Sequence, residues 1–264
     1  MRTLLRATET RRDDPAAQQE ECEMRDITGC VAMISGANRG IGESIAAALH
    51  ADGWALSLAA RDMAALEASA ASYRIDGGGP TVTLHCYDAT DLDAAERWTA
   101  ETIAAHGRID CLVNNAGVAY PDVFEELTED TLDEMWEVNA KGPFRMIRAT
   151  LDHLRRSGEG RIVNVISMSG KRVRGTFAPG YAMSKHAAMA LHHSVRHLTF
   201  PDGIRCTAVC PGYVQTDMTS GFGVDPSIMI QADDLAQALA TILRLPNTAS
   251  VAELLVTTEP ETIA

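Results

Sequence analysis

A chain of 264 residues, 46% hydrophobic and 22% charged, carries enough apolar material for one large α/β domain or two small ones. Its formal net charge of −13 argues against nucleic acid as the main partner, because a phosphate backbone is gripped by a basic face. No apolar run approaches the roughly 18 residues that a membrane span needs, so no membrane partner is expected.

Residues 1–26 are charged at nearly every turn and hold no apolar stretch. They lack the hydrophobic region of a secretory signal, and their acids after residue 12 do not suit a transit peptide. They read as a mobile tail, or as upstream sequence preceding a start at Met24. From residue 27 to 264 strand-like and helix-like stretches alternate. VAMIS (31–35) predicts a strand and IGESIAAALHADG (41–53) a helix ending at Gly53. ALSLAA (55–60) is a strand, and residues 62–73 are a helix broken by GGGP at 77–80. TVTLHCY (81–87) is a strand, 91–107 a helix and DCLVNNAG (110–117) a strand with a glycine-ended turn. A long helical region covers 128–157, followed by strand RIVNVIS (161–167) and a helix at 179–199. IRCTAVCPG (204–212), a helix at 231–245 and a last strand at 249–257 complete the pattern. Such alternation predicts a single α/β domain: a parallel seven-stranded sheet with helices on both faces, doubly wound in the Rossmann manner.

The six cysteines, Cys22, Cys30, Cys86, Cys111, Cys206 and Cys210, form no CxxC pair. They read as buried reduced thiols of a cytoplasmic protein rather than disulfides or metal ligands. His192 and His193 are adjacent on a predicted helix and so point in different directions; no metal site is expected.

ISGANRGIG (34–42) follows the first strand and opens the first helix. Gly36, Gly40 and Gly42 allow a tight turn and let a pyrophosphate approach the backbone at a helix N-terminus. An NAD enzyme places a carboxylate for the ribose 2′-hydroxyl roughly 20 residues further on. Here that position falls on Ala59–Arg61, with no acid at the strand tip. Arg61 and Arg39 would instead form charge-assisted pairs with a 2′-phosphate, so NADP(H) is expected in preference to NAD(H). Asp62, next to Arg61, is either a helix N-cap or a ribose acceptor.

These residues resemble those of the short-chain dehydrogenase/reductase family over about residues 27–257. GANRGIG is similar to its glycine loop, NNAG (114–117) to the motif after its fourth strand, and Asn139 to its helix asparagine. Ser167 at the end of RIVNVIS, the spacing Tyr181-x-x-x-Lys185 and PGYVQT (211–216) follow in the family's order. Departures are Ser35 where threonine is usual, Ile166 in place of a first serine, and the ending TEPETIA without a glycine-rich motif. The resemblance implies that Asn38 and Ile41 join the glycine loop in binding cofactor. It implies Asp88 and Ala89 near the adenine, and Asn115 and Gly117 along the cofactor's path. Pro211, Gly212, Val214 and Thr216 would meet the nicotinamide end. It also implies a homodimer or homotetramer packed through helices 128–157 and 179–199.

Reducing a carbonyl needs a proton for the oxygen as well as a hydride for the carbon. A free tyrosine has a pKa of about 10 and is a poor base at neutral pH, and a nearby cation favours its phenolate. Four residues along a helix puts Tyr181 and Lys185 on one face, so Lys185 is expected to lower the Tyr181 pKa and make it the general acid/base. By resemblance Lys185 also grips the nicotinamide ribose, and Asn139 holds a water that relays protons from Lys185 to solvent. Ser167 would hydrogen-bond the substrate oxygen. Residues 168–180 would border a small carbonyl or alcohol substrate under a lid at 213–230. Met218, Phe222 and Met229 suggest an apolar wall, while Lys171, Arg172 and Arg174 are either plain loop cations or partners for an anionic group.

The leading expectation is an NADP(H)-dependent carbonyl reductase or alcohol dehydrogenase, with 3-oxoacyl thioester reduction as one candidate subclass. A nucleotide-sugar epimerase or dehydratase is disfavoured, because too little chain follows Pro211 for a larger substrate domain. The alternative of another class is a non-catalytic dinucleotide-binding redox sensor, which would be free to lose one of Asn139, Ser167, Tyr181 and Lys185.

Overall fold

The computed structural model describes residues 24–73, 79–173, 175–220 and 222–258. Most of the expected tail, Cys22, part of the GGGP break, Arg174 and the last residues of TEPETIA lie outside the described residues.

Strands β1 (Val31–Ser35), β2 (Ala55–Ala60), β3 (Val82–Cys86), β4 (Cys111–Asn114), β5 (Arg161–Val165), β6 (Arg205–Pro211) and β7 (Glu253–Val256) pair in parallel throughout. They form a seven-stranded sheet in the order β3-β2-β1-β4-β5-β6-β7. The helices between them are α1 (Gly40–Ala51), α2 (Met63–Ala70), α3 (Ala94–His106), α4 (Glu129–Trp136), α5 (Gly142–Arg156), α6 (Pro179–Thr199) and α7 (Ala232–Leu243).

The apolar strand sequences are explained by burial on both faces. Along β1, Ala32 and Ile34 join one core with Ile45 and Leu49 of α1 and Leu239 of α7, whereas Met33 joins the other with Trp98 of α3 and Met146 of α5. The same two-residue alternation divides Val113 from Leu112 on β4 and Val163 from Ile162 on β5. Each large aliphatic side chain buried this way contributes about 1.5–3 kcal/mol. The chain winds from β1 outward to β3, then returns to β4 and winds the other way. The carboxyl ends of β1 and β4 therefore part at a topological switch point, where a crevice opens.

β1, β2 and α6 span the residues expected from the pattern. β4 is shorter, because the amides of Asn115 and Ala116 turn to the Ser35 hydroxyl (both 3.1 Å) instead of a neighbouring strand. The long helix expected at 128–157 is interrupted by a π-helical turn, Glu137–Lys141, between α4 and α5. Packing starts before residue 27: Arg25 is 8% exposed and its amide donates to the Arg244 carbonyl at 2.7 Å. Its guanidinium lies over the Trp54 ring and pairs with Glu159. Cation–π and ion-pair contacts of this kind are invisible to a hydropathy reading. Of the described cysteines, Cys30, Cys111, Cys206 and Cys210 are buried thiols as expected, but Cys86, at the end of edge strand β3, is exposed.

Candidate active site

The crevice at the switch point is a cleft of about 590 Å³. Its floor is the turn from β1 into α1. Gly36 and Gly40 adopt left-handed φ values of 65° and 57°, which a side chain would resist. The amides of Gly36 and Ala37 hook the turn onto the Ala59 carbonyl at 2.8 and 3.2 Å. Asn115 braces it from β4, its side-chain amide donating to the Ser35 and Gly36 carbonyls, both at 3.0 Å. The loop thus presents bare backbone and the positive end of α1 to the cleft, a natural seat for an anion.

Every residue named above for the cofactor lines this cleft except Gly42. Gly42 lies underneath, where a Cβ would come within 2.2 Å of the Gly36 carbonyl oxygen and 2.4 Å of Asn115 Nδ2. Neither neighbour is free to yield, so Gly42→Ala is expected to destabilise the fold by about 1–3 kcal/mol. Urea unfolding would register this as a lower midpoint at unchanged slope.

At the β2 end, Arg61 is exposed beside the cleft. Asp62 is the N-cap of α2, its Oδ1 accepting from the Ala65 amide at 3.0 Å, and it also lines the cleft. Asp88 accepts from the amide and hydroxyl of Thr90 while still lining the cleft. Arg145 of α5 donates to the Ala89 carbonyl at 2.8 Å and holds that segment in place. Arg39 is not waiting free for a phosphate: it pairs with Asp217 at 3.2 Å, across from the glycine loop. Both side chains are largely exposed (69% and 74%), so solvent screening leaves this bridge worth less than about 1 kcal/mol.

At the other end stand Ser167, Tyr181 and Lys185. Ser167 leaves β5 and caps a short 3₁₀ turn, its Oγ accepting from the Ser169 amide at 3.0 Å. Tyr181 lies in the first turn of α6, after Ala178 at a left-handed φ of 49° and Pro179 redirect the chain. Lys185 follows one turn later and is buried; Nζ donates to the Val165 carbonyl at 2.9 Å and sits 5.6 Å from the Tyr181 ring centre.

The proton affinities here differ from the expectation. Burial pushes the Tyr181 pKa up to about 12, with the Ser167 hydroxyl pulling the other way. Burial pushes Lys185 down to about 8. Desolvation outweighs the cation because the ammonium is bound to Val165 rather than to the phenol oxygen.

Asn139 does not line the cleft. It sits in the π turn, where Oδ1 accepts from the Val118 amide (2.9 Å) and Nδ2 donates to the Val118 carbonyl (2.8 Å) and Ser184 Oγ (3.0 Å). Both ends of its amide hold protein groups. Asn139 therefore braces the strand end that carries Gly117, where a Cβ would lie 3.2 Å from Asn139 Oδ1 and 3.6 Å from Lys185 Nζ.

The lid at 213–230 closes at its base through a bridge between Val214 and Ile230 and leans on the glycine loop through Thr216. Met218 lines the cleft as expected, but Met229 is buried beneath the lid against Thr219, and Phe222 packs edge-on against Phe177. Lys171 is engaged by Glu253. Sequence reasoning missed Asp217, which follows Thr216 directly, and Val118 and Val138, which line the cleft. His192 is buried between Asn164 and the Ala252 carbonyl, a packing role. Among the described residues no acid, histidine and cysteine cluster can hold a metal, and no helix is long and apolar enough to cross a membrane.

A volume of about 590 Å³, bare glycine backbone at a helix N-terminus, and a buried lysine at the far end fit a dinucleotide. Comparison with known proteins identifies the family. The profile of the short chain dehydrogenases matches residues 30–225. Agropine synthesis reductase of Rhizobium rhizogenes is 36% identical over 225 residues, covering 84% of this chain and 50% of that protein, so the chain spans half the length of this relative. An alcohol dehydrogenase from the archaeon Thermococcus sibiricus, complexed with 5-hydroxy-NADP, is similar with a TM-score of 0.81 at 34% identity, over 88% of this chain and 99% of that one. A metagenomic short-chain oxidoreductase in complex with NADP gives a TM-score of 0.75 at 30% identity, over 87% and 97% of the two chains. With motif, topology and site in agreement, the chain belongs to the short-chain dehydrogenase/reductase family.

Proposed function

We propose that this chain moves a hydride reversibly between a nicotinamide dinucleotide, NADP(H) in preference to NAD(H), and a carbonyl compound or secondary alcohol, with Tyr181 as general acid/base. The observation that carries the reading is the convergence of Ser167, Tyr181 and Lys185 in one cleft with the glycine loop.

The residues that would hold the cofactor are Gly36, Asn38, Arg39, Gly40 and Ile41 of the glycine loop for its pyrophosphate, with Asp88 and Ala89 for the adenine. Asn115 and Gly117 would contact its middle, and Pro211, Gly212, Val214 and Thr216 would serve the nicotinamide end. When bound, the cofactor supplies or accepts the hydride. The protein handles the proton. With a pKa near 12, Tyr181 keeps its phenolic hydrogen at neutral pH and is poised to donate it to a carbonyl oxygen. Ser167 Oγ orients that oxygen. In the oxidative direction the phenolate must form, and the Lys185 ammonium is the group that favours it.

The NADP(H) preference is supported by the exposed Arg61 beside the cleft. Two similar structures carry NADP or a derivative of it. A doubly charged 2′-phosphate would outbid Asp217 for Arg39, because that exposed bridge is weak. We extend the proposal to a cytoplasmic homodimer or homotetramer, supported by the exposed apolar side chains Phe144 on α5 and Met183 and Leu198 on α6.

Fluorescence titration with NADPH and NADH, followed by a carbonyl series of acetoacetyl-CoA, ethyl acetoacetate and 2,3-butanedione, tests the reading. Tighter binding of NADPH and ketone-dependent oxidation of it are expected. Arg61→Ala should weaken NADPH by about tenfold or more and leave NADH unchanged, since a charge-assisted hydrogen bond carries about 1.5–3 kcal/mol. Equal or tighter NADH binding by the unaltered protein would overturn the preference.

A further inference from the structure

We infer that Glu253, at the start of edge strand β7, is a positioning residue for Ser167, acting through an ion pair with Lys171. The inference rests on the role given to Ser167 above.

The segment after β5 is a small unit tied to itself. Ser167 Oγ accepts from the Ser169 amide, the Ser167 carbonyl from the Gly170 amide (3.0 Å), and the Met168 carbonyl from the amides of Lys171 (3.0 Å) and Arg172 (3.2 Å). Such a turn moves as one body, so the Ser167 hydroxyl is only as well placed as the turn's anchors. One anchor is steric. A Cβ on Gly170 would lie 2.7 Å from the Lys185 carbonyl oxygen and 2.6 Å from Ile166 Cγ2, so the turn sits hard against the helix that carries Tyr181 and Lys185.

The other anchor is electrostatic. Lys171 Nζ is ion-paired with Glu253 Oε2. The second carboxylate oxygen, Oε1, lies 3.5 Å from His193 Nε2 on α6. One carboxylate thereby faces the serine turn and the catalytic helix from a third element. The strand alternation puts it there: Leu254 and Val256 turn to the core beneath α1 and α7, so Glu253 turns to the α6 side. The pair is only 31% and 21% exposed, against 69% and 74% for Arg39 and Asp217, so solvent screens it far less. A partly buried carboxylate on this face is costly unless paired, and removing either partner strands the other. Burial pushes the Cys210 thiol up to about 11, with Glu253 adding to the rise and Lys171 and Lys185 opposing it. Lys171 is thus spent on fixing the turn rather than left over for an anionic substrate.

The test compares Lys171→Met, Glu253→Gln and the charge-reversed pair Lys171→Glu/Glu253→Lys by hydrogen exchange of the peptide spanning 166–172 and by acetoacetyl-CoA reduction with NADPH. Each single variant is expected to speed exchange of that peptide and lower kcat about tenfold, a loss matching a small misplacement of a reacting group, with KM for NADPH unchanged. The reversed pair is expected to regain both, together with the melting temperature that each single variant loses by stranding its partner. Unchanged exchange in the single variants, faster exchange with unchanged kcat, or a reversed pair no better than the single variants would each overturn the inference. A KM for acetoacetyl-CoA that rises in Lys171→Met and falls in Glu253→Gln would also overturn it and assign Lys171 to substrate. If the unaltered protein reduces no carbonyl, the proposed reaction fails, while the exchange measurement still decides whether Glu253 holds the turn.

Discussion

Tyr181→Phe is expected to remove nearly all turnover while NADPH binding persists. The substitution deletes one oxygen. The ring, its place in the first turn of α6 and the lysine one turn later are all retained, so neither fold nor cleft shape should change. What goes is the phenol that lines the cleft together with Ser167, the group proposed above to supply the proton when a carbonyl is reduced. General acid catalysis of this kind contributes about 10²–10⁴ in rate, so kcat should fall about 10³-fold, about 4 kcal/mol in barrier. NADPH oxidation with acetoacetyl-CoA gives the rate, fluorescence titration the binding, and thermal unfolding the fold. Turnover within tenfold of the unaltered enzyme would refute Tyr181 as the acid. Loss of NADPH binding in parallel would give it a structural role instead.

The features legible in the sequence were those whose chemistry is local. Three glycines between a strand and a helix, or a tyrosine and lysine one helical turn apart, describe their own geometry, because the helix or turn that relates them is a property of the same short segment. The alternation of strand and helix fixed the topology for the same reason, since right-handed crossovers leave few ways to assemble it. Other features depend on which distant segments meet. Arg25 rests on Trp54 and Glu159, Arg39 on Asp217, and Lys171 on Glu253, pairs that no spacing reveals. The π turn at Glu137–Lys141 is a one-residue change in winding whose effect, turning Asn139 towards Val118 and Ser184, shows only once those groups are in place. The sign of the Tyr181 shift is the instructive case. Lys185 does lie one turn from Tyr181, as their spacing implies, but the desolvation of the buried lysine and the half-buried tyrosine is a tertiary property, and it outweighs their attraction.

That burial has a measurable consequence at Lys185. Its pKa falls from an ordinary 10.5 to about 8 because the folded protein disfavours the ammonium, and the unfolded chain does not. For a group depressed on folding, the associated stability is fully present above the unfolded value and is lost as pH falls through the folded one. The unaltered protein should therefore gain about 2–3 kcal/mol from this residue between pH 7 and pH 10. Tyr181, shifted the opposite way, starts to withdraw stability only above about pH 10, outside that window. Lys185→Met keeps the length and bulk of the side chain and removes the titration. Urea unfolding of both proteins across the range, without cofactor, should show their difference in stability moving by that amount in favour of the unaltered protein as pH rises. Parallel curves would mean that Lys185 is neutralised or solvated in a way its burial and its single bond to the Val165 carbonyl do not provide. The expected slope carries a functional reading too. A buried cation that weakens the fold at neutral pH fits the role proposed above for Lys185, which is to favour the Tyr181 phenolate once the cleft is filled.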